Sequence, residues 1–288
     1  IKDGIGEISE EITSFLMIGQ SNMAGRGDFG EVAEIINPNC FMLRNGKWIR
    51  MREPINPDRA IFDYFHSGRG LSASFADEYA KSLTDQLEGL NRFGIQYLEL
   101  RQADGKNVAN MSHSEVSEAE RRLSDHGIKV SAIGSPLGKI ALDGDMHAHM
   151  EQTKRVCETA TRLGARYVRV FSFYLPVGRT REDCKAEGVD ALGNMLDIAK
   201  SFGVIMCHEN EAKIWGESPE ECRELLDQLG GRLRAVFDMG NFVLGGYEPI
   251  GAYELLREYI EYFHIKDALA RGAIVPAGMG EARIGEIL

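Results

Sequence analysis

The stretch Ser201-Phe202-Gly203-Val204-Ile205-Met206-Cys207-His208-Glu209-Asn210 contains one complete structural step: the end of an amphipathic helix, a glycine, an apolar strand and a polar strand end. Glycine just past a helix accepts the left-handed backbone that other residues resist, so Gly203 marks the helix stop and sets the phase of the next strand. The step recurs at Phe93-Gly94, His126-Gly127 and Leu163-Gly164. Working outward from it, apolar runs predict strands over 95–100, 129–133, 167–173, 204–207, 233–237 and 262–265. Amphipathic stretches predict helices over 83–92, 115–125, 150–163, 189–202, 219–229 and 252–259. Strand and helix alternating in this way is the pattern of parallel β/α architecture.

A β/α barrel normally takes about 250 residues, and 83–288 falls short of that, so a TIM-like barrel lacking its first strand and its last unit is expected. Residues 1–82 read differently. They contain the apolar run Phe15-Leu16-Met17-Ile18, then Gly- and Pro-punctuated stretches such as Asn37-Pro38-Asn39 and Gly68-Arg69-Gly70, and a helix expected over 72–82. The expected division is therefore 1–82 and 83–288. Four consecutive apolar residues suit a strand buried on both faces, so Phe15 to Ile18 is a candidate for the barrel's first strand.

The 288 residues are 43% hydrophobic, enough for a sizeable core. The 33 Lys and Arg against 44 Asp and Glu give a net charge of -11, which repels a phosphate backbone and argues against nucleic-acid binding. No apolar run approaches the ~20 residues of a membrane helix, and the acidic opening lacks the basic start of a secretory signal. A cytoplasmic chain with no membrane partner is expected. The five cysteines (Cys40, Cys157, Cys184, Cys207, Cys222) are scattered without a close pair and read as reduced thiols.

Glu209, Asp238 and His264 each close an apolar strand, and in a barrel the C-terminal strand ends face one cavity. Two carboxylates and an imidazole there suit a divalent ion, Mn, Mg, Co or Zn. The competing expectation is that each merely caps the following helix. Arg169 and Lys266 are candidates for binding a sugar hydroxyl or phosphate, or for pairing with strand-end carboxylates such as Glu99 and Asp267. His147 and His149 are expected just before a helix, solvated or capping; His113 and His126 are expected at the surface.

Residues 83–288 resemble the xylose isomerase-like barrels, which include sugar isomerases and ketose 3-epimerases. The resemblance rests on Tyr97-Leu-Glu-Leu-Arg101, Gly164-Ala-Arg-Tyr-Val-Arg-Val-Phe171, His208-Glu-Asn210, Phe237-Asp-Met-Gly-Asn241 and His264-Ile-Lys-Asp267. It implies that Glu209, Asp238 and His264 are metal ligands and that Glu209 also moves a proton; Glu99, Arg169 and Lys266, by their place at or just after strands, are the candidate substrate contacts. The implied activity is a metal-dependent isomerisation or epimerisation of a small carbohydrate through an enediolate, whose oxyanion a metal can stabilise. The family's fourth ligand, a Glu on the last strand, lies beyond the Gly278-Met-Gly-Glu281 turn and has no counterpart in this sequence.

Residues 12–81 resemble SGNH-type carbohydrate esterases, through Phe15-Leu-Met-Ile-Gly-Gln-Ser-Asn-Met-Ala-Gly-Arg-Gly27 and Gly68-Arg-Gly-Leu-Ser-Ala-Ser-Phe-Ala-Asp-Glu-Tyr-Ala80. By that resemblance Ser21 is a nucleophile and oxyanion donor and Gly70 a second donor, implying carbohydrate O-acetylesterase activity. The family's Asp-x-x-His pair has no counterpart in this sequence. A non-catalytic hybrid of the two parts is the third reading, with open sheet edges that favour a homo-oligomer.

Overall fold

The computed structural model describes residues 41–44, 47–50, 82–270 and 272–288. The chain divides into two compact units, Ile1–Gln86 and Leu87–Leu288. In the first, β1 (Phe41–Arg44) and β2 (Lys47–Arg50) form an antiparallel pair with Arg44 opposite Lys47. Phe15 to Ile18, Ser21 and Gly70 lie outside the described residues, and so does the expected placement of that strand in the barrel.

Helix α1 (Leu83–Arg92) crosses into the second unit and leads to β3 (Tyr97–Leu100). A small hairpin, β4 (Gln102–Ala103) and β5 (Lys106–Asn107), comes next, then α2 (His113–Asp125) and β6 (Lys129–Gly134). The alternation continues through α3 (Met146–Arg162), β7 (Tyr167–Val170), α4 (Arg181–Phe202), β8 (Ile205–Glu209), α5 (Pro219–Gln228) and β9 (Arg234–Asp238). Helices α6 (Met239–Leu244) and α7 (Pro249–Leu256) precede β10 (Ile260–His264). The antiparallel pair β11 (Asp267–Leu269) and β12 (Ala273–Val275) and the short α8 (Ile284–Ile287) complete the described elements.

The large sheet has the order β3-β6-β7-β8-β9-β10, all parallel and each strand beside its neighbour in sequence. This is a curled half-barrel of six strands, the architecture the alternating pattern predicts. Among the described residues β3 and β10 are its edges. Its strands are buried along Val168, Val170, Met206, Cys207, Val236 and Phe237, because helices cover the outer face. Phe237 also anchors an aromatic cluster, with ring centroids 5.2 Å from Phe242, 5.9 Å from Phe263 and 6.1 Å from Tyr253.

The helices start where side chains meet otherwise unpaired N–H groups. Ser112 with Glu115, Thr180 with Asp183, and Ser218 with Glu221 each form a reciprocal capping box. Gly164 and Gly203 take φ of 69° and 71°, the left-handed helix stops expected from the sequence. Four helices, α2, α3, α4 and α7, begin earlier than their apolar pattern suggests, α3 and α4 by the most. Helix α4 starts at its Thr180 cap and α3 at its Asp145 cap, so His147 and His149 lie inside the first turn of α3 instead of before it. His149 is buried and its Nε2 accepts from the Gly138 N–H at 3.0 Å, a packing role. Cys157, Cys184, Cys207 and Cys222 are free and buried, as expected of reduced thiols. No helix among the described residues is long and apolar enough to cross a membrane.

Candidate metal and substrate site

Glu209, Asp238 and His264 are the last residues of β8, β9 and β10. Parallel strands in register bring these ends together, and one ligand atom from each lies within 4.8 Å of the others. A cleft of about 450 Å³ opens over them. Glu99, Arg169 and Lys266 face the same cleft, so all six site residues expected in the barrel converge there. A larger groove, about 610 Å³, runs over Met146, Met150 and Ala191 between α3 and α4. That groove lies on the outer helical layer, away from the strand ends.

Many of the cleft's polar groups contact one another. His264 Nδ1 lies 2.9 Å from Glu209 Oε1, and its Nε2 lies 2.8 Å from Glu99 Oε2. The Arg169 guanidinium donates to Glu209 Oε2 at 2.7 Å and to the Ser135 carbonyl at 3.2 Å. Lys266 Nζ bridges Asp238 Oδ2 at 2.9 Å and Asn241 Oδ1 at 2.5 Å. Glu99 and Asp267, the partners expected for Arg169 and Lys266, are thus replaced by Glu209 and Asp238. Asp267 is occupied elsewhere: its carboxylate accepts from the backbone N–H groups of Ala268, Gly278, Gly280 and Ala282 at 2.8 to 3.0 Å.

These contacts set the protonation states. Burial alone would raise the Glu209 pKa, but the His264 hydrogen bond and the Arg169 charge outweigh it and hold the carboxyl down to about 2. Burial alone would lower the His264 pKa, and the hydrogen bonds to Glu209 and Glu99 instead push it up to about 9. Asp238 is shifted upward by burial, against the pull of Lys266. His208 points away into the core, where burial lowers it to about 4, and its Nε2 meets Ser172 Oγ at 2.9 Å. It is a structural histidine despite its place beside Glu209.

Two residues to which the sequence pattern assigns no role hold the frame. Asn210 donates through Nδ2 to the Asp238 carbonyl at 2.9 Å and accepts through Oδ1 from the Asp238 N–H at 3.0 Å. It therefore imitates one further ladder pair beyond the end of β8. Asn241 donates through Nδ2 to the Asn210 carbonyl at 2.8 Å, while its own N–H caps onto Asp238 Oδ1 at 2.8 Å. Asp238 is thus both N-cap of α6 and a member of the strand-end set, so the capping and ligand readings of this residue coexist. The available signal was positional: Asn210 directly follows a strand-end Glu, and Asn241 stands three residues after Asp238.

The donor set fits a divalent ion. Ligand atoms at ~2.0–2.2 Å from a common ion lie at most about 4.4 Å apart, so the present three, within 4.8 Å of one another, would close by a few tenths of an ångström around it. Oxygen-rich coordination with one imidazole suits Mg, Mn, Co or Zn.

Comparison with curated protein sequences gives no match. Residues 11–93 match the family described as carbohydrate esterase, sialic acid-specific acetylesterase. Among solved structures, a D-tagatose 3-epimerase-like protein aligns with TM-score 0.62 at 17% identity, covering 73% of this chain and 82% of its own. A xylose isomerase-like TIM barrel protein from Mycobacterium smegmatis, solved with magnesium, aligns with TM-score 0.59 at 18% identity, covering 71% and 75% respectively. An IOLI protein with a bound zinc atom aligns with TM-score 0.59 at 22% identity, covering 73% and 81%. At these identities the structural likeness speaks to fold. Residues 87–287 match the family described as xylose isomerase-like TIM barrel, and with that span the chain belongs to the xylose isomerase-like TIM barrel family.

Proposed function

We propose that the barrel part, taken as 83–288, is a divalent-metal-dependent isomerase or epimerase of a small carbohydrate or polyol. The observation that carries this reading is the convergence of Glu209, Asp238 and His264 within 4.8 Å at the floor of the cleft. These three side chains would hold the ion, which when bound supplies positive charge to an oxyanion developing on the substrate. Glu209, ionised and fixed by Arg169, is the group that takes a proton from a carbon next to a carbonyl, forming an enediolate. Lys266 and Glu99 would orient hydroxyl groups. The magnesium and zinc in the structural relatives support a metal of this class. Metal content and calorimetric titration with Mn, Co, Zn and Mg test the assignment. Near-stoichiometric uptake that Glu209→Ala abolishes is expected; equal uptake by both proteins would overturn it.

A second reading, favoured by the esterase-family match over 11–93, is acyl transfer from acetylated carbohydrate to Ser21. Labelling by a serine-directed phosphonate, lost in Ser21→Ala, is its expected signature. Aryl acetate turnover that survives the substitution would remove Ser21 from any catalytic role.

A further inference from the structure

The lining of the cleft includes four carboxylates, Glu99, Glu209, Glu211 and Asp238, and four permanent cations, Arg101, Lys139, Arg169 and Lys266. Three of those cations have carboxylate partners: Arg169 pairs with Glu209, Lys266 with Asp238, and Lys139 with Glu211 at 2.9 Å. Glu99 faces His264. Arg101 remains without a carboxylate partner among the described residues, although the chain has many more acidic than basic residues. A free guanidinium at the cleft is therefore not the by-product of a surplus of cations.

Its placement is specific. Arg101 directly follows β3 and stands two positions after Glu99. Both lean over Gly134 at the end of β6, where an added Cβ would come within 2.9 Å of Glu99 Oε1 and 3.3 Å of Arg101 Cβ. The Arg101 carbonyl accepts from the Val108 N–H at 3.0 Å, which fixes its backbone across the β4–β5 hairpin. The backbone of Arg101 is held, while the residue itself is exposed and lines the cleft. A bound dication would make the lining net positive, a field that complements an anion and gains nothing from a neutral sugar.

We propose that the cleft takes an anionic substrate, a sugar or polyol bearing a carboxylate or phosphate, and that Arg101 binds the anionic group. The proposal rests on reading the cleft as the substrate site of a metal-dependent enzyme, and adds the substrate's charge class. Arginine suits the task because its fork presents two parallel N–H donors to either anion.

Binding of D-fructose, D-fructose 6-phosphate and D-gluconate to the full chain with Mn, measured by calorimetry beside metal content, tests it. At least one anion is expected to bind more tightly than D-fructose, and which one distinguishes phosphate from carboxylate. Loss of a charge-assisted contact in Arg101→Gln should weaken that anion by about 10- to 100-fold, with Arg101→Lys retaining part of the preference and thermal melts confirming that both variants fold. No preference for either anion, failure of both to bind, or a preference unchanged in Arg101→Gln overturns the proposal. Metal uptake without an anion preference would refute this inference alone. An Arg101-dependent preference in protein that takes up no metal would refute the metal reading and leave the anion site standing.

Discussion

Glu209 and Asp267 are carboxylates of nearly equal burial, 4% and 2% exposed, that solve the same problem in opposite ways. Asp267 is saturated by four backbone N–H groups, that of Ala268 and three from the 278–282 turn. Glu209 is neutralised by side chains, Arg169 and His264, that can rotate or exchange partners. A carboxylate locked by backbone builds the fold, whereas one balanced by movable cations keeps oxygens that an incoming ion or substrate can take over. The difference explains why Asp267, three residues after His264, belongs to the scaffold and Glu209 to the site.

Removing Asp267 should break the scaffold half of the contrast. Asp267→Ala leaves several N–H groups of the 278–282 turn without an acceptor, and a loss of about 3 kcal/mol in urea unfolding is expected. The pH dependence comes from its titration. Burial alone would raise the Asp267 pKa, but the four N–H donors outweigh this and hold it below the ordinary carboxylate value. A depressed folded pKa gives stability that is fully present above the unfolded value of ~3.9 and is lost as pH falls through the folded one. The stability gap between wild type and Asp267→Asn should accordingly shrink in melts carried from pH 7 to below about pH 4. A gap that stays constant over that range would place Asp267 among ordinary surface carboxylates.

The site half is sharpened by Asn210, which touches no proposed substrate but fixes the backbone of Asp238. Asn210→Ala should weaken Mn affinity by about 10- to 100-fold, the usual effect of groups that orient ligands, while the metal-free protein still folds. Calorimetry showing wild-type affinity in a folded variant would mean that Asp238 needs no such support, and the two halves would differ less than described.

Much of the barrel and its rim was legible in the sequence, for identifiable reasons. Runs such as Val204-Ile-Met-Cys207 and the glycine stops at 164 and 203 fix strand phase, and phase places Glu209, Asp238 and His264 at one rim. The direction of the pairings was not legible. Arg169 sits on β7 beside β8, and cross-strand neighbourhood, invisible without register, gives it Glu209 instead of Glu99. Helix α4 runs from Arg181 because the Thr180-x-x-Asp183 capping box extends it beyond its apolar pattern. Helix α6 is only one and a half turns long and is capped by a strand-end residue, so periodicity could not announce it.

The side-chain amide of Asn210 prolongs the β8–β9 ladder past its last pair, Glu209 with Val236, up to Asp238 itself. The backbone bearing that carboxylate can then open to solvent only when the centre of the sheet opens with it, so its fluctuations are those of the cooperative core and not of a loop. The loop around Val177, by contrast, is exposed to solvent. The strand ends inherit the rigidity of the most stable part of the molecule, and ordering of the backbone around Asp238 is completed during folding.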